Sequence, residues 1–379
     1  MCRKLIALVM LAVMLFSLCG CSSMYDREYV HISEYSSPEQ SSSGSDGKLT
    51  VRNFNALKQA ILNIVYSESG EGKISFDSSY EGDAVEDMAS ACWQVRTQDA
   101  MCAYCVENIA YEMNKIVSHY EAELSVTYSN VIQETDGIIR MQYATGLDDT
   151  LTQAISQSRK KLALLVVRSS YNADEMIGKV EALYRENPSI APQMPKVDVK
   201  MFSGNSMQKL YEINLDYGLN DHELKKRRSS LNAVRPFDDL EIDSMSQIDR
   251  LLLACQYLAE NCIYGSETAG NSVYSALVIK DADSEGLSYA FVELCRQLGI
   301  ECTMIYGQRN WQDHWWNIVK LDEGYYHVDM SLCMDGEFED GFLLNDQHIW
   351  GAHRWDVSSY PACSGEPLYN VDVQETDIE

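Results

Sequence analysis

Between Ser284 and Asp329 the chain changes its hydrophobic period, and no other stretch limits the fold so tightly. In S-E-G-L-S-Y-A-F-V-E-L-C-R-Q-L-G, Leu287, Ala290, Phe291, Leu294 and Leu298 recur at helical spacing, and Gly299 supplies a C-terminal stop. From His314, H-W-W-N-I-V-K-L reads as a strand. Asp322-Glu323-Gly324 makes a tight turn, and Y-Y-H-V-D returns as an antiparallel strand ending at Asp329. An amphipathic helix precedes this stretch, with Leu251, Leu252, Cys255, Leu258 and Ala259 as its stripe. The pattern predicts an α+β domain with a helix packed on an antiparallel sheet. Strand register is not specified, so which side chains of the hairpin meet is open at this level.

The same stretch carries the chemistry. Ser284 is placed at or near the N-cap of the helix, where backbone N–H groups and the positive dipole end converge. Such a position lowers the pKa of a thiol and helps to bind an oxyanion. Ser is also a preferred N-cap, which accounts for the residue without chemistry. His314 and Asp329, on consecutive strands, supply a base and a group to orient it. His327, His348 and His353 show no ligand pattern and read as surface or packing residues.

A nucleophile position opening a helix, then His, then Asp, resembles the transglutaminase-like (papain-like) superfamily. The family pattern is Cys-x-Gly-x-(small)-x-Ala-Phe, and Gly286, Ser288, Ala290 and Phe291 match it. The nucleophile departs: Ser284 stands where the family has Cys. The resemblance runs from about residue 248 to 332. It implies His314 as base, Asp329 as its orienting partner, and acyl transfer from a glutamine side chain or peptide bond to an amine or water. It requires no metal or other cofactor. Trp315, Trp316 and Asn317 are expected to line a substrate groove, with core packing as the blander use of a tryptophan.

A thiol is partly ionised at neutral pH, whereas a hydroxyl must lose its proton as it attacks. The substitution therefore implies a rate loss of several orders of magnitude, and the expected role is a degenerate domain kept as a binding or structural module for a protein or peptide ligand. An active enzyme using Ser284, His314 and Asp329 is the alternative, since Ser-His-Asp is itself a working triad. Chemistry from Cys295 or Cys302 is a third reading, against which the apolar position of Cys295 on the helix points to packing.

The N-terminus predicts export. Arg3 and Lys4 precede an apolar run from Leu5 to Leu18, shorter than the roughly 20 residues of a membrane span. It ends in L-C-G-C, which resembles the lipobox of bacterial lipoproteins with Cys21 as the acylated residue. Residues 1–20 are thus expected as a signal peptide. Residues 21–49 are the acylated Cys and a Ser-rich tether with too little apolar content for a core. The expected location is the extracytoplasmic face of a cell membrane, held by lipid.

The net charge of −27 argues against nucleic acid as a partner. Lys225-Lys226-Arg227-Arg228 reads as a solvated helix face, with a phosphate or headgroup contact as the sharper alternative. Cys102-Ala-Tyr-Cys105 lies in a helical pattern, and no second pair completes a zinc site. Buried helix thiols are the favoured reading, ahead of a redox pair or a metal site.

Residues 50–219 are expected as a mixed α/β domain of unknown role, 220–235 as a linker, 236–365 as the transglutaminase-like domain and 366–379 as an acidic tail. In the first domain Phe54, Leu57, Ile61 and Ile64 form a helical stripe. The stretch from about Asp83 to Val117 reads as one or two further helices. Ala122, Leu124, Val126 and Tyr128 alternate as a strand, L-A-L-L-V-V suits a central strand, and Asn172 is a plausible N-cap.

Overall fold

The computed structural model describes residues 29–30, 48–67, 69–129, 137–204 and 208–366. The expected signal segment, the acylation site Cys21, most of the tether and nearly all of the acidic tail lie outside these residues. Among the described residues no helix is long and apolar enough to cross a membrane.

The chain divides into two compact units. The first comprises the chain up to Gly146 with Ala163–Ser170 and Met201–Glu212; the second comprises Leu147–Leu162, Tyr171–Lys200 and everything from Ile213 on. The elements in chain order begin with β1 (Tyr29–Val30), β2 (Lys48–Asn53), α1 (Phe54–Val65) and β3 (Glu71–Glu81). Then come α2 (Ala84–Gln98), α3 (Ala100–Cys105), β4 (Val106–Ile116), β5 (His119–Tyr128) and β6 (Ile138–Met141). α4 (Leu147–Ser156), β7 (Lys161–Val166), α5 (Ala173–Glu186), β8 (Lys196–Ser203) and β9 (Lys209–Asp216) follow.

In the first unit β2, β3, β5 and β4 form a sheet in that order, with β2 parallel to β3 and the other neighbours antiparallel. α1 is capped by Asn53, whose side chain accepts from the Ala56 N–H at 2.9 Å, and it buries Leu57, Ile61 and Ile64. Val106–Ile116 is a strand where the sequence predicted helix. Pairing along β5 sets Ile109, Tyr111 and Met113 opposite Val126, Leu124 and Ala122. The period-2 contacts of this hairpin override the local helical pattern. Cys102 and Cys105 are buried in α3, and burial foremost raises both thiols above their ordinary value, Cys105 to about 12. In a second sheet β6 pairs antiparallel with β1 and parallel with β7.

The second unit continues through α6 (Asp221–Asn232), α7 (Gln247–Asn261), β10 (Ile263–Tyr264) and β11 (Asp281–Ala282) to α8 (Ser284–Gln297). β12 (Glu301–Arg309), β13 (Gln312–Leu321), β14 (Gly324–Val328), α9 (Met330–Asp335), α10 (Asp346–Ile349) and β15 (His353–Arg354) complete it. β14, β13, β12 and β15 form an antiparallel sheet in that order, and α8 packs against β12 and β13. This is the predicted helix on an antiparallel sheet. The helix is more deeply embedded than one apolar face requires: Gly286 to Cys295 are all buried, because α5, α7 and α9 also pack on it. Asn172 does cap α5, reciprocally with Glu175.

Two sequence boundaries shift. Residues 220–235, expected as a linker, contain α6, whose Leu224 and Leu231 are buried and whose Arg228 donates to the Ile155 and Ile190 carbonyls at 3.1 and 3.3 Å. Arg227 pairs with Glu223 and stacks over Tyr274. The basic run is thus partly structural rather than wholly solvated. α4 and α5, expected in the first domain, belong to the second unit, where Tyr184 of α5 packs edge-on against Tyr289 of α8.

Gly307 of β12 admits β15. A Cβ there would lie 2.2 Å from the Arg354 carbonyl oxygen and 2.8 Å from the Trp316 ring. Gly307→Ala is expected to destabilise the second unit by about 1–3 kcal/mol, the usual cost of overpacking. Urea unfolding followed by tryptophan fluorescence checks this; an unchanged midpoint contradicts it.

Candidate active site

Ser284 opens α8 but does not cap it. The N-cap is Asp283, whose side chain accepts from the Gly286 N–H at 2.9 Å. The capping explanation for a serine at 284 is therefore removed, and Ser284 occupies the first helical position, half-buried. Its Oγ accepts from the Trp315 N–H at 3.4 Å, which sets it beside the residue that follows His314. Gly286 is needed where the helix enters: a Cβ would come within 2.6 Å of the Gly270 carbonyl oxygen. Farther along, Asn317 of β13 donates to the Ser288 carbonyl at 3.2 Å and ties the strand to the helix.

The register of the sheet supplies the rest. Gly307 pairs with His314, and Asn317 with Val328, so Asp329 emerges from β14 next to β13. His314 Nε2 lies 2.8 Å from Asp329 Oδ2, with both residues buried. Asp329 is also the N-cap of α9, its Oδ1 accepting from the Ser331 N–H at 3.0 Å and the Ser331 hydroxyl at 2.6 Å. Arg309 holds that hydroxyl from the other side at 3.1 Å. A second imidazole reaches the same oxygen: His353 Nε2 lies 2.9 Å from Asp329 Oδ2.

Burial alone would raise the Asp329 pKa, but hydrogen bonds from His314, His353 and Ser331 outweigh it and hold the carboxyl well below its ordinary range. With Nε2 engaged by Asp329, Nδ1 is the other ring nitrogen of His314. Among the described residues no hydrogen bond joins it to Ser284.

Below the base, Trp316 forms an aromatic floor. Its ring stacks near His314, with centroids 6.1 Å apart, and meets His353 edge-on at 4.9 Å. Its indole N–H donates to His327 Nδ1 at 3.1 Å, so His327 carries its proton on Nε2 and donates to Asp346 at 2.9 Å. That bond bears on a metal reading. His327, Asp346 and Cys363 bring ligand atoms within 4.8 Å of one another, yet the His327 nitrogen facing the cluster is a donor. The Cys363 thiol is pushed up to about 12, by burial foremost. His314, Asp329 and His353 form a similar group. There a metal on His353 Nε2 would force the ring proton onto Nδ1, which is buried without a partner.

The expected groove is corrected in part. Trp316 and Asn317 are fully buried and cannot line an open surface; they pack and position. Trp315 is half-buried, its ring 4.7 Å from Tyr306 and under the Arg185 guanidinium. Trp311 is 81% exposed at the two-residue β12–β13 turn. His353, read as a surface or packing residue, is instead part of the carboxylate network; its flanking sequence carries no signal, because only the β12–β15 pairing brings it there. Cys295 is fully buried, and desolvation foremost raises its thiol far above the ordinary value, which removes it as a nucleophile.

Residues 240–330 match the model of the transglutaminase-like superfamily. Two solved structures are similar. One, a candidate cysteine protease from Cytophaga hutchinsonii, is 11% identical, covers 36% of this chain and 62% of its own, and has a TM-score of 0.22. Another, described as a TGase, is 12% identical, with 55% and 60% covered and a TM-score of 0.20. The chain spans about three fifths of the length of each. No curated protein matches.

Burial holds His327 below its ordinary value near 6.5, against the pull of Asp346, and Asp329 is likewise depressed. Both groups bind protons more readily in the unfolded chain, so stability falls with falling pH. The His327 contribution is complete above about pH 7 and is lost as pH drops below about 6.5; the Asp329 contribution is lost only below about pH 4. Urea midpoints measured from pH 7.5 to 3.5 are expected to fall in two stages, with His327→Gln flattening the first. A midpoint that is constant between pH 7 and 5.5 contradicts this.

Proposed function

We propose that the transglutaminase-like domain formed around residues 240–330 is catalytically degenerate and binds an amide-bearing protein or peptide ligand at the Ser284 cleft. The observation that carries this reading is the contrast at the site. His314 and Asp329 keep a base and its orienting partner at 2.8 Å, while Ser284 is held by the Trp315 backbone and not by the base. A thiolate needs only a nearby imidazolium, but a hydroxyl needs the base aligned along its proton. The remaining features suit recognition of an extended amide: a half-buried nucleophile position, a backbone N–H aimed at it, and an aromatic wall of Trp315 and Tyr306.

An active serine acyl-transfer enzyme is the second reading. It is favoured by one observation: Asp283 does the capping, so Ser284 is not there for that purpose.

The deciding experiment is intact-mass labelling with an amide-mimicking acyl probe, on the original protein, on Ser284→Cys and on Ser284→Cys with His314→Ala. The expected result is no adduct on the original protein and a rapid, His314-dependent adduct on Ser284→Cys. Turnover by the original protein that disappears in Ser284→Ala would overturn degeneracy and establish the second reading.

In this reading the chain acts at an extracytoplasmic membrane surface, held by acylated Cys21, which follows the apolar run and a small residue. Cys21→Ser is expected to move the protein from the detergent-extracted membrane fraction to the soluble exported fraction. A membrane fraction unchanged by that substitution would sink the anchor.

A further inference from the structure

We infer that His353 is a positioning residue of this site, holding the Asp329 carboxylate against His314 through its Nε2–H. The inference rests on the retained-site reading above and adds a residue that no motif contains.

His353 reaches the site through sheet topology. β15 pairs antiparallel to β12, with Arg309 opposite His353 and Gln308 opposite Arg354, and Gly307 leaves the space in which this short strand closes. The ring is 1% exposed and packs edge-on against both Trp316 and His314. What the imidazole alone supplies is an N–H on Asp329 Oδ2, at 2.9 Å, beside that of His314 at 2.8 Å.

The tautomers follow from the acceptor. An ionised carboxylate only accepts, so both imidazoles carry a proton on Nε2, and in a neutral ring Nδ1 is then bare. Among the described residues, Nδ1 of His353 is buried with no partner. A neutral ring tolerates an idle lone pair there, whereas protonation would bury an unpaired N–H and a charge. On His314 the same logic leaves Nδ1 as the lone pair available to a proton from the nucleophile position. With the second imidazole on Oδ2 and Ser331 on Oδ1, the carboxylate cannot rotate away from His314. His353 touches no reacting atom; it acts through Asp329.

Two measurements test this. In the original protein, labelled with ¹⁵N-histidine, both His314 and His353 are expected as Nε2–H tautomers, each with a strongly downfield N–H proton. A His353 ring protonated on Nδ1 overturns the inference, and this arm needs no substitution to fold. In the Ser284→Cys background, the rate and pH profile of thiol alkylation by a haloacetamide are read with His353→Leu and with His353→Gln. Leu is expected to slow alkylation about tenfold or more and to shift the profile, as misplacement of a supporting group does. Gln, which keeps an N–H within reach, is expected to restore most of the rate. A folded His353→Leu protein that reacts like its parent overturns the inference. If the Ser284→Cys thiol shows no His314-dependent activation at all, the retained-site reading fails, while the tautomer measurement still decides the role of His353.

Discussion

The second unit is organised around one buried anion. Asp329 is 1% exposed, and taking a carboxylate out of water costs several kcal/mol unless its lone pairs are filled. Four donors fill them: imidazole N–H groups from β13 and β15, and the backbone N–H and hydroxyl of Ser331 in α9. The charge thus ties together two strands at different places in the sheet and a helix N-terminus. The same contacts depress its pKa, so it stays ionised across the physiological range. A base oriented by such a group has a fixed tautomer, and that is what acyl-transfer chemistry asks of it.

Around this anion the site separates into a hydrogen-bonded His314–Asp329 assembly and the Ser284 position beside it. The His314–Asp329 pair, the Trp316 floor and the Asn317 tie to α8 form a closed, well-packed assembly. Ser284 sits at its solvent side, bonded to a backbone N–H. A hydroxyl and a thiol differ little in bulk but greatly in acidity. A serine at this position therefore offers no resting thiolate, whatever the packing around it. Because Asp283 caps the helix, the frame does not depend on the serine, and fold and reactivity are uncoupled at that residue.

Much of this was legible in the chain. The helical stripe from Leu287 to Leu298 and the strands β13 and β14 lie where periodicity puts them, and the turn at Asp322-Glu323 sets their hairpin, whereas β12 was not read from the sequence. The illegible parts share a cause. Val106–Ile116 carries a pattern that either period can satisfy, and only pairing with β5 selects the strand. Trp316 and Asn317 sit beside Trp315 in sequence, but Asn317 is sealed by α8 and Trp316 is sealed on the other face of the sheet by Ile305, Leu344, His353 and Trp355, so adjacency in the chain misled about exposure. α4 and α5 read as parts of the first domain because composition does not report which core a helix joins.

The sequence by itself determined which residue types stand at positions 284, 314 and 329, their order along the chain, and the secondary elements that carry them. These follow from local rules of period, turn chemistry and residue type, which act over a few neighbours. Only the tertiary structure decided that Asp283 rather than Ser284 caps α8, that Asp329 serves two imidazoles, and that His353 is one of them. Each of those facts depends on strand register and on a two-residue strand returning to β12, contacts between residues far apart in the chain, which local patterns do not encode.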